Sequence, residues 1–266
     1  MAERRGRDAL EAALDRRAEA GNPVLLWWRD DDATRDTPAL RRLVGLGAAH
    51  GLAPVIAAIP GFARDDLGAA LEPGAARVAV HGIAHRNHAG SGEKKCELGA
   101  ARDGDAVVAG LAAARGHLEA IVSERLIDML VPPWNRIAPA IAARLGEAGF
   151  RALSVFGRRQ GTTAGPGVAV INAHVDIIDW RGTRGGRAGA VLFGEIARLV
   201  GGPPDMDREP LGILTHHLVH DAAAWNFLAE LFAFTAAHPG ARWCAPGRLI
   251  AAAGKRGASA TARVHG

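Results

Sequence analysis

The chain has 266 residues, 48% of them hydrophobic and 23% charged, with 32 Lys and Arg against 28 Asp and Glu and a net charge of +4. That length buries an ample core in one large domain, and the interspersed charges together with the lack of tyrosine speak against a base-stacking nucleic-acid binder. No apolar run approaches the ~18 residues of a membrane span.

The first twenty residues, charged throughout, lack the apolar segment a secretory signal needs, so the expectation is a cytoplasmic protein. Cys96 and Cys244, far apart, form neither a disulfide framework nor a zinc knuckle. Leu10 and Leu14 predict an amphipathic helix over Asp8 to Ala20, ended near Gly21-Asn22-Pro23. Val24 to Trp28 reads as a buried strand that stops at Arg29-Asp30-Asp31-Asp32. Three carboxylates in a row repel one another, so an arginine or a cation is expected close by. Thr37-Pro38 starts a helix that Gly51 stops, and Pro54 to Ile59 is the next strand. A short helix over Asp65 to Leu71 leads to a strand over Arg77 to Val80, which runs into His81 and His85. In a helical loop these two would share one face, about 5–6 Å apart at Cβ, within reach of one ion. The alternative is that they cap the strand by bonding to backbone.

A polar loop over 89–95 suits a rim or a solvated turn, and Asp105 to Glu124 is a long helix. Met129-Leu130-Val131 is a strand ended by Pro132-Pro133, which present Trp134 and Asn135 rigidly. Pro139 to Ala148 is helical, Arg151 to Phe156 is a strand, and Gly157 to Gly167 is a loop. Val168 to Ile171 and Val175 to Ile178 are two short strands or one broken strand, ending at Asp179-Trp180. A helix over Ala190 to Val200, a Gly-Gly-Pro-Pro break and a strand over Leu211 to Leu214 lead to His216-His217. Asp221 caps a last helix running through Ala237. Residues 1–254 are expected to form one domain, with a disordered tail over 255–266.

Strands alternating with helices predict parallel strands with helical crossovers. Each polar cluster follows a strand, and parallel strands put all those ends on one side, where barrel enzymes build their sites. On these residues the sequence resembles the polysaccharide deacetylase family, the NodB-like carbohydrate esterases of family 4, from Val24 to the region of Leu228. The matching motifs are Asp31-Asp32 in W-R-D-D-D-A, His81-Gly-Ile-Ala-His85, Val131-Pro-Pro-Trp134-Asn135, Asp176-Ile-Ile-Asp179-Trp180 and Leu214-Thr215-His216.

The resemblance implies a distorted (β/α)7-type barrel. It also implies a divalent metal, zinc before others, on Asp32, His81 and His85, with Asp31 as general base and His216 as the acid that protonates the leaving amine. Asp176 would tune His216. Trp134 and Trp180, with Pro133, Asn135 and Asp179, would shape the pocket for the acetyl group, and the substrate would be an N-acetylated amino sugar, here an intracellular or carrier-linked one. The third motif of the family opens with an arginine that orients the base, whereas this chain has Val131, leaving Arg29 or Arg136 as replacements. Asp30 and Asp31 could be base and ligand in place of Asp31 and Asp32, and His217 competes with His216. His88 could be a further ligand or a rim residue. Other readings of the same scaffold are a hydrolase of a ureide or formamide, or a carbohydrate-binding barrel without catalysis.

Overall fold

The computed structural model describes residues 2–72, 74–202 and 209–251. The expected tail over 255–266 and the two prolines of the Gly-Gly-Pro-Pro break lie outside them. Seven parallel strand positions curl into a barrel: β1 (Val24–Ala33), β2 (Val55–Ala58), β3 (Arg77–His81), β4 (Leu126–Val131), β5 (Ala152–Leu153), a broken strand, and a final strand over Leu211–Thr215. A short β6 (Thr163–Gly165) pairs antiparallel with β7 (Val168–Val170) in the segment predicted to be only loop.

The broken strand closes the barrel. Its first half, β7, pairs with β5, and its second half, β8 (Val175–Asp176), pairs with the final strand, β9 (Leu211–Thr215). The chain itself carries the sheet from one edge to the other. A tenth strand, β10 (Ala241–Trp243), not foreseen from the sequence, adds to the start of β1.

Helices cover the outside. α1 (Ala2–Glu19) packs on α5 (Gly189–Val200), and the Arg17 guanidinium donates to the Val200 carbonyl at the α5 C-terminus, where positive charge is favoured. α2 (Pro38–Ala48) starts on a Thr37 cap and α6 (Ala222–Thr235) on an Asp221 cap, as predicted. α3 (Gly104–Val122) is long and apolar enough to cross a bilayer by length and composition. One stripe of it, Val107, Leu111, Leu118 and Val122, is nevertheless buried in the core, each side chain contributing about 1.5–3 kcal/mol, and Arg115 pairs with Asp128 of β4. The helix predicted over Pro139 to Ala148 is broken into α4 (Pro139–Ala142) and a 3-10 turn, Leu145–Ala148.

Two apolar layers meet at the strands. Leu26, Trp28, Ile56, Val78 and Leu130 face the helices, while Trp27, Val55, Ala57, Ala79, Met129, Val131 and Ile171 fill the barrel interior. The interior layer continues upward along β1. Trp27, Arg29 and Asp31 alternate onto the inner face, and Trp28 and Asp30 onto the outer one. β1 therefore runs through the carboxylates, not up to them. A strand of this composition can be buried because Arg29, Asp30 and Asp31 each meet a partner of opposite charge.

Candidate active site

The inner face of β1 carries a fully buried arginine. Arg29 Nη2 donates to Asp31 Oδ2 at 3.0 Å and Nε lies 2.9 Å from Asp31 Oδ1, so the guanidinium clasps both oxygens of a carboxylate that is itself buried. Nη1 donates to Ser154 Oγ at 2.7 Å, and Nη2 also donates to Asn135 Oδ1 at 2.7 Å. Of Arg29 and Arg136, the arginines proposed to replace the one missing at Val131, Arg29 is the one that reaches Asp31. Arg136 is occupied elsewhere, donating to the Lys95 carbonyl at 2.8 Å. Val131 lines the same interior layer that Arg29 enters. The guanidinium thus reaches the carboxylate from β1 itself, two residues away.

Asp30 points to the outer face and is fully buried. Its oxygens accept from Thr215 Oγ1 at 2.6 Å, from the His217 amide at 2.9 Å and from the His217 ring. Burial acts against the Asp30 carboxylate, but the His217 charge and its hydrogen bond outweigh it and lower the pKa. Burial likewise disfavours the His217 imidazolium, and Asp30 raises its pKa in turn. This buried pair fixes the end of β9 to β1, so neither Asp30 nor His217 is available at the barrel mouth as base or acid.

Asp32 breaks the alternation. Its φ is +73°, in the left-handed region rarely used by a residue with a side chain, and the pairing with β2 shifts register there. The carboxylate consequently turns toward β3. Asp32 Oδ1 lies 3.2 Å from His81 Nε2 and 3.5 Å from His85 Nε2. This one backbone angle is what sets Asp32 apart from Asp30 and Asp31 and brings it beside the two histidines.

The segment from His81 to His85 is not the helical loop expected from the spacing. Gly82 sits at φ +66° and His85 at φ +53°, and the turn is held from outside by Glu97, a residue the sequence reading missed. The buried Glu97 carboxylate accepts from the amides of Ile83 at 2.9 Å, Ala84 at 2.8 Å and Arg86 at 3.1 Å. A Cβ on Gly82 would lie 2.1 Å from Glu97 Oε2 and 2.6 Å from Pro133, so only glycine fits. Glu97 lies just past the polar loop over 89–95. No signal at its position separates it from the exposed Glu93 nearby, since only the fold buries it.

The cluster Asp32, His81 and His85 suits a divalent ion. His81 Nδ1 lies 2.9 Å from the Val131 carbonyl, which can only accept, so the proton sits on Nδ1 and the Nε2 lone pair faces Asp32. Asp32 Oδ1 is buried with no hydrogen-bond partner among the described residues. Burial works against the charged forms of both. The charges around them still set the direction: the histidines lower the Asp32 pKa, and Asp32 and Asp31 raise that of His81. A positive charge is wanted between these atoms. Two imidazole nitrogens and a carboxylate oxygen, all within 4.8 Å of one another, form a three-ligand set.

Across the mouth, His216 ends β9 half-buried, its ring edge-on to Trp180 with centroids 4.7 Å apart, and His216 Nδ1 has no hydrogen-bond partner among the described residues. Trp180 Nε1 donates to Asp176 Oδ2 at 2.8 Å. Burial raises the Asp176 pKa, opposed by the charge of His216, so the two interact through space without a direct hydrogen bond. Trp134 packs on His85 at 4.4 Å, and both Trp134 and Asn135 have positive φ. Pro133 is buried beneath them, against Gly82.

Two expected pocket residues are used otherwise. Asp179 folds back to accept from the amides of Gly182 and Thr183, which makes it a turn former. Asn135 spends its side-chain oxygen on Arg29. His88 is exposed, with its amide bonded to the Cys96 carbonyl.

No family model matches the sequence, and no curated protein matches it. Solved structures do. A family 4 acetyl xylan esterase from Clostridium thermocellum, in complex with a cobalt ion, superposes with a TM-score of 0.52 at 11% identity, over 85% of this chain and 90% of that one. The fold is that of the family 4 carbohydrate esterases. A mutant of the peptidoglycan deacetylase PdaC from Bacillus subtilis gives a TM-score of 0.57 at 14% identity over 91% and 98%. A family 4 pseudoenzyme from Bacillus anthracis gives 0.56 at 13% over 86% and 66%. The distorted (β/α) barrel expected from the motifs is the architecture observed.

Proposed function

We propose that this chain is a divalent-metal-dependent hydrolase that removes the acetyl group from an N-acetylated amino sugar. The observation that carries the reading is the pair of neighbouring carboxylates sorted by the bend at Asp32, one held by Arg29 and one turned to two histidines. The fold shared with deacetylases and esterases supports the reaction class.

In this reading Asp32 Oδ1 and the Nε2 atoms of His81 and His85 hold the ion, zinc by preference for this nitrogen and oxygen set. When bound, the ion supplies Lewis-acid polarisation of the amide carbonyl and acidifies water. The protein supplies the rest. Asp31, fixed by Arg29, takes the proton of the attacking water. The Trp134 amide is what the turn leaves over for the developing oxyanion, since its two prolines have no N–H and the Asn135 and Arg136 amides bond to the Pro132 and Pro133 carbonyls. His216 gives a proton to the leaving nitrogen. Trp134 and Trp180 wall the mouth from either side and exclude water.

The test combines metal content with turnover. Elemental analysis of the purified protein should give near one equivalent of a divalent ion, and Asp31→Asn should keep that ion while abolishing release of acetate. The neighbouring pseudoenzyme makes the binding-only barrel a real rival. An Asp31→Asn protein that hydrolyses as well as wild type, or a wild type that takes up no metal, would decide against the hydrolase.

A further inference from the structure

A groove leads away from the site. It begins at Asn135, beside the Arg29–Asp31 pair, and runs between the loops following β4 and β5 to Thr163 and Asn172. Its walls include Arg136, Arg158 and Arg159, and no Asp or Glu is among its lining residues. That asymmetry is not a property of the whole chain, in which 28 acidic residues nearly balance 32 basic ones. The floor is apolar, with Ile137, Leu153 and Val155, and Phe156 stands 45% exposed at its lip.

Two of the cations are held in place, Arg136 and Arg159. Arg136 is pinned by the Lys95 carbonyl, a neutral partner, and pairs with no carboxylate among the described residues. Arg159 pairs with the buried Glu209 carboxylate at 3.9 Å, which anchors it at the groove. Guanidinium groups over an apolar floor focus a positive potential and present forked donors that match phosphate oxygens. The groove opens next to the base, so a sugar whose acetyl group reached Asp31 would extend its far end into it.

We infer that the groove binds phosphate carried by the substrate, which makes the substrate class an N-acetylated amino sugar joined to a phosphate or diphosphate. This rests on the hydrolase reading for the acetyl group, and the apolar floor with Phe156 receives what lies beyond the phosphate, a nucleoside or a lipid chain.

Two measurements separate the claims. In the first, uridine diphosphate and inorganic pyrophosphate are titrated into metal-free protein, so that no phosphate can bind through an ion. Binding should weaken with added salt, and should fall roughly tenfold or more in Arg136→Gln and again in Arg158→Gln, as expected for loss of a hydrogen bond to a charged group. In the second, acetate release is compared between a chitin oligomer, N-acetylglucosamine 1-phosphate, its uridine diphosphate ester and its polyprenyl diphosphate ester. The phosphorylated sugars should be preferred, with the preference lost in the arginine variants, and the last two arms tell nucleotide from lipid. Phosphate binding without acetate release from any sugar would leave the groove standing and sink the hydrolase. Equal turnover of neutral and phosphorylated sugars, unaffected by the arginine variants, would overturn the groove and leave the hydrolase.

Discussion

Replacing Glu97 with glutamine tests whether the metal loop is built by its ligands or by the carboxylate behind it. Glu97 Oε1 takes two amides, those of Ala84 and Arg86, and Oε2 takes that of Ile83. Glutamine keeps one accepting oxygen and turns an NH2 group on the remaining amide, so at least one charge-assisted bond becomes a donor facing a donor, a loss of ~1.5–3 kcal/mol. His81 is also fixed from β3 and by the Val131 carbonyl, so the loss falls mainly on His85, whose positive φ the turn has to impose. The ion must then order that turn as it binds. Isothermal titration of zinc into Glu97→Gln should show affinity reduced about 10–100-fold, the range seen when groups supporting metal ligands are removed. Glu93→Gln is the control, because Glu93 is exposed and, among the described residues, accepts only from the Gly90 amide. Unchanged zinc affinity in a Glu97→Gln protein of lowered melting temperature would show that Glu97 serves the fold alone.

Arg29→Lys keeps the charge but loses the fork, and is expected to lower kcat/KM by tenfold or more with zinc affinity retained, since one or more bonds worth ~1.5–3 kcal/mol go; equal loss of metal would contradict a role confined to Asp31. Arg29→Met leaves a buried carboxylate unpaired and should lower stability in urea by about 3–5 kcal/mol. The His81→Ala, His85→Ala double variant should purify without metal, and an equivalent still bound would place the ion elsewhere. The pKa of His217 is raised above its ordinary 6.5, so the Asp30–His217 pair contributes fully below about pH 6.5 and its contribution is lost as pH rises through the higher folded value. Chelated wild type should therefore lose urea resistance between pH 6.5 and alkaline pH more steeply than His217→Gln, and parallel curves would refute the pairing.

Much of this protein is written locally. Strand and helix order, the Thr37 and Asp221 caps and the grouping of polar residues at strand ends all follow from short-range pattern, because periodicity and capping depend on residues within a turn of one another. The same pattern brings Asp32, His81, His85, Trp134, Trp180 and His216 to one mouth, since parallel strands share a direction.

What the sequence left open was decided by contacts between residues far apart in the chain. Three consecutive aspartates are equivalent in composition, and they become different only when Arg29, a bend at Asp32 and His217 each claim one of them. His216 and His217 are separated in the same way, by which of them meets Asp30 across the strands. Glu97 looks like any loop glutamate until the fold buries it beneath three amides contributed by the histidine turn. Patterning fixes which residues reach the barrel mouth, but a buried charge is assigned by its partner, and partners are a property of the tertiary structure.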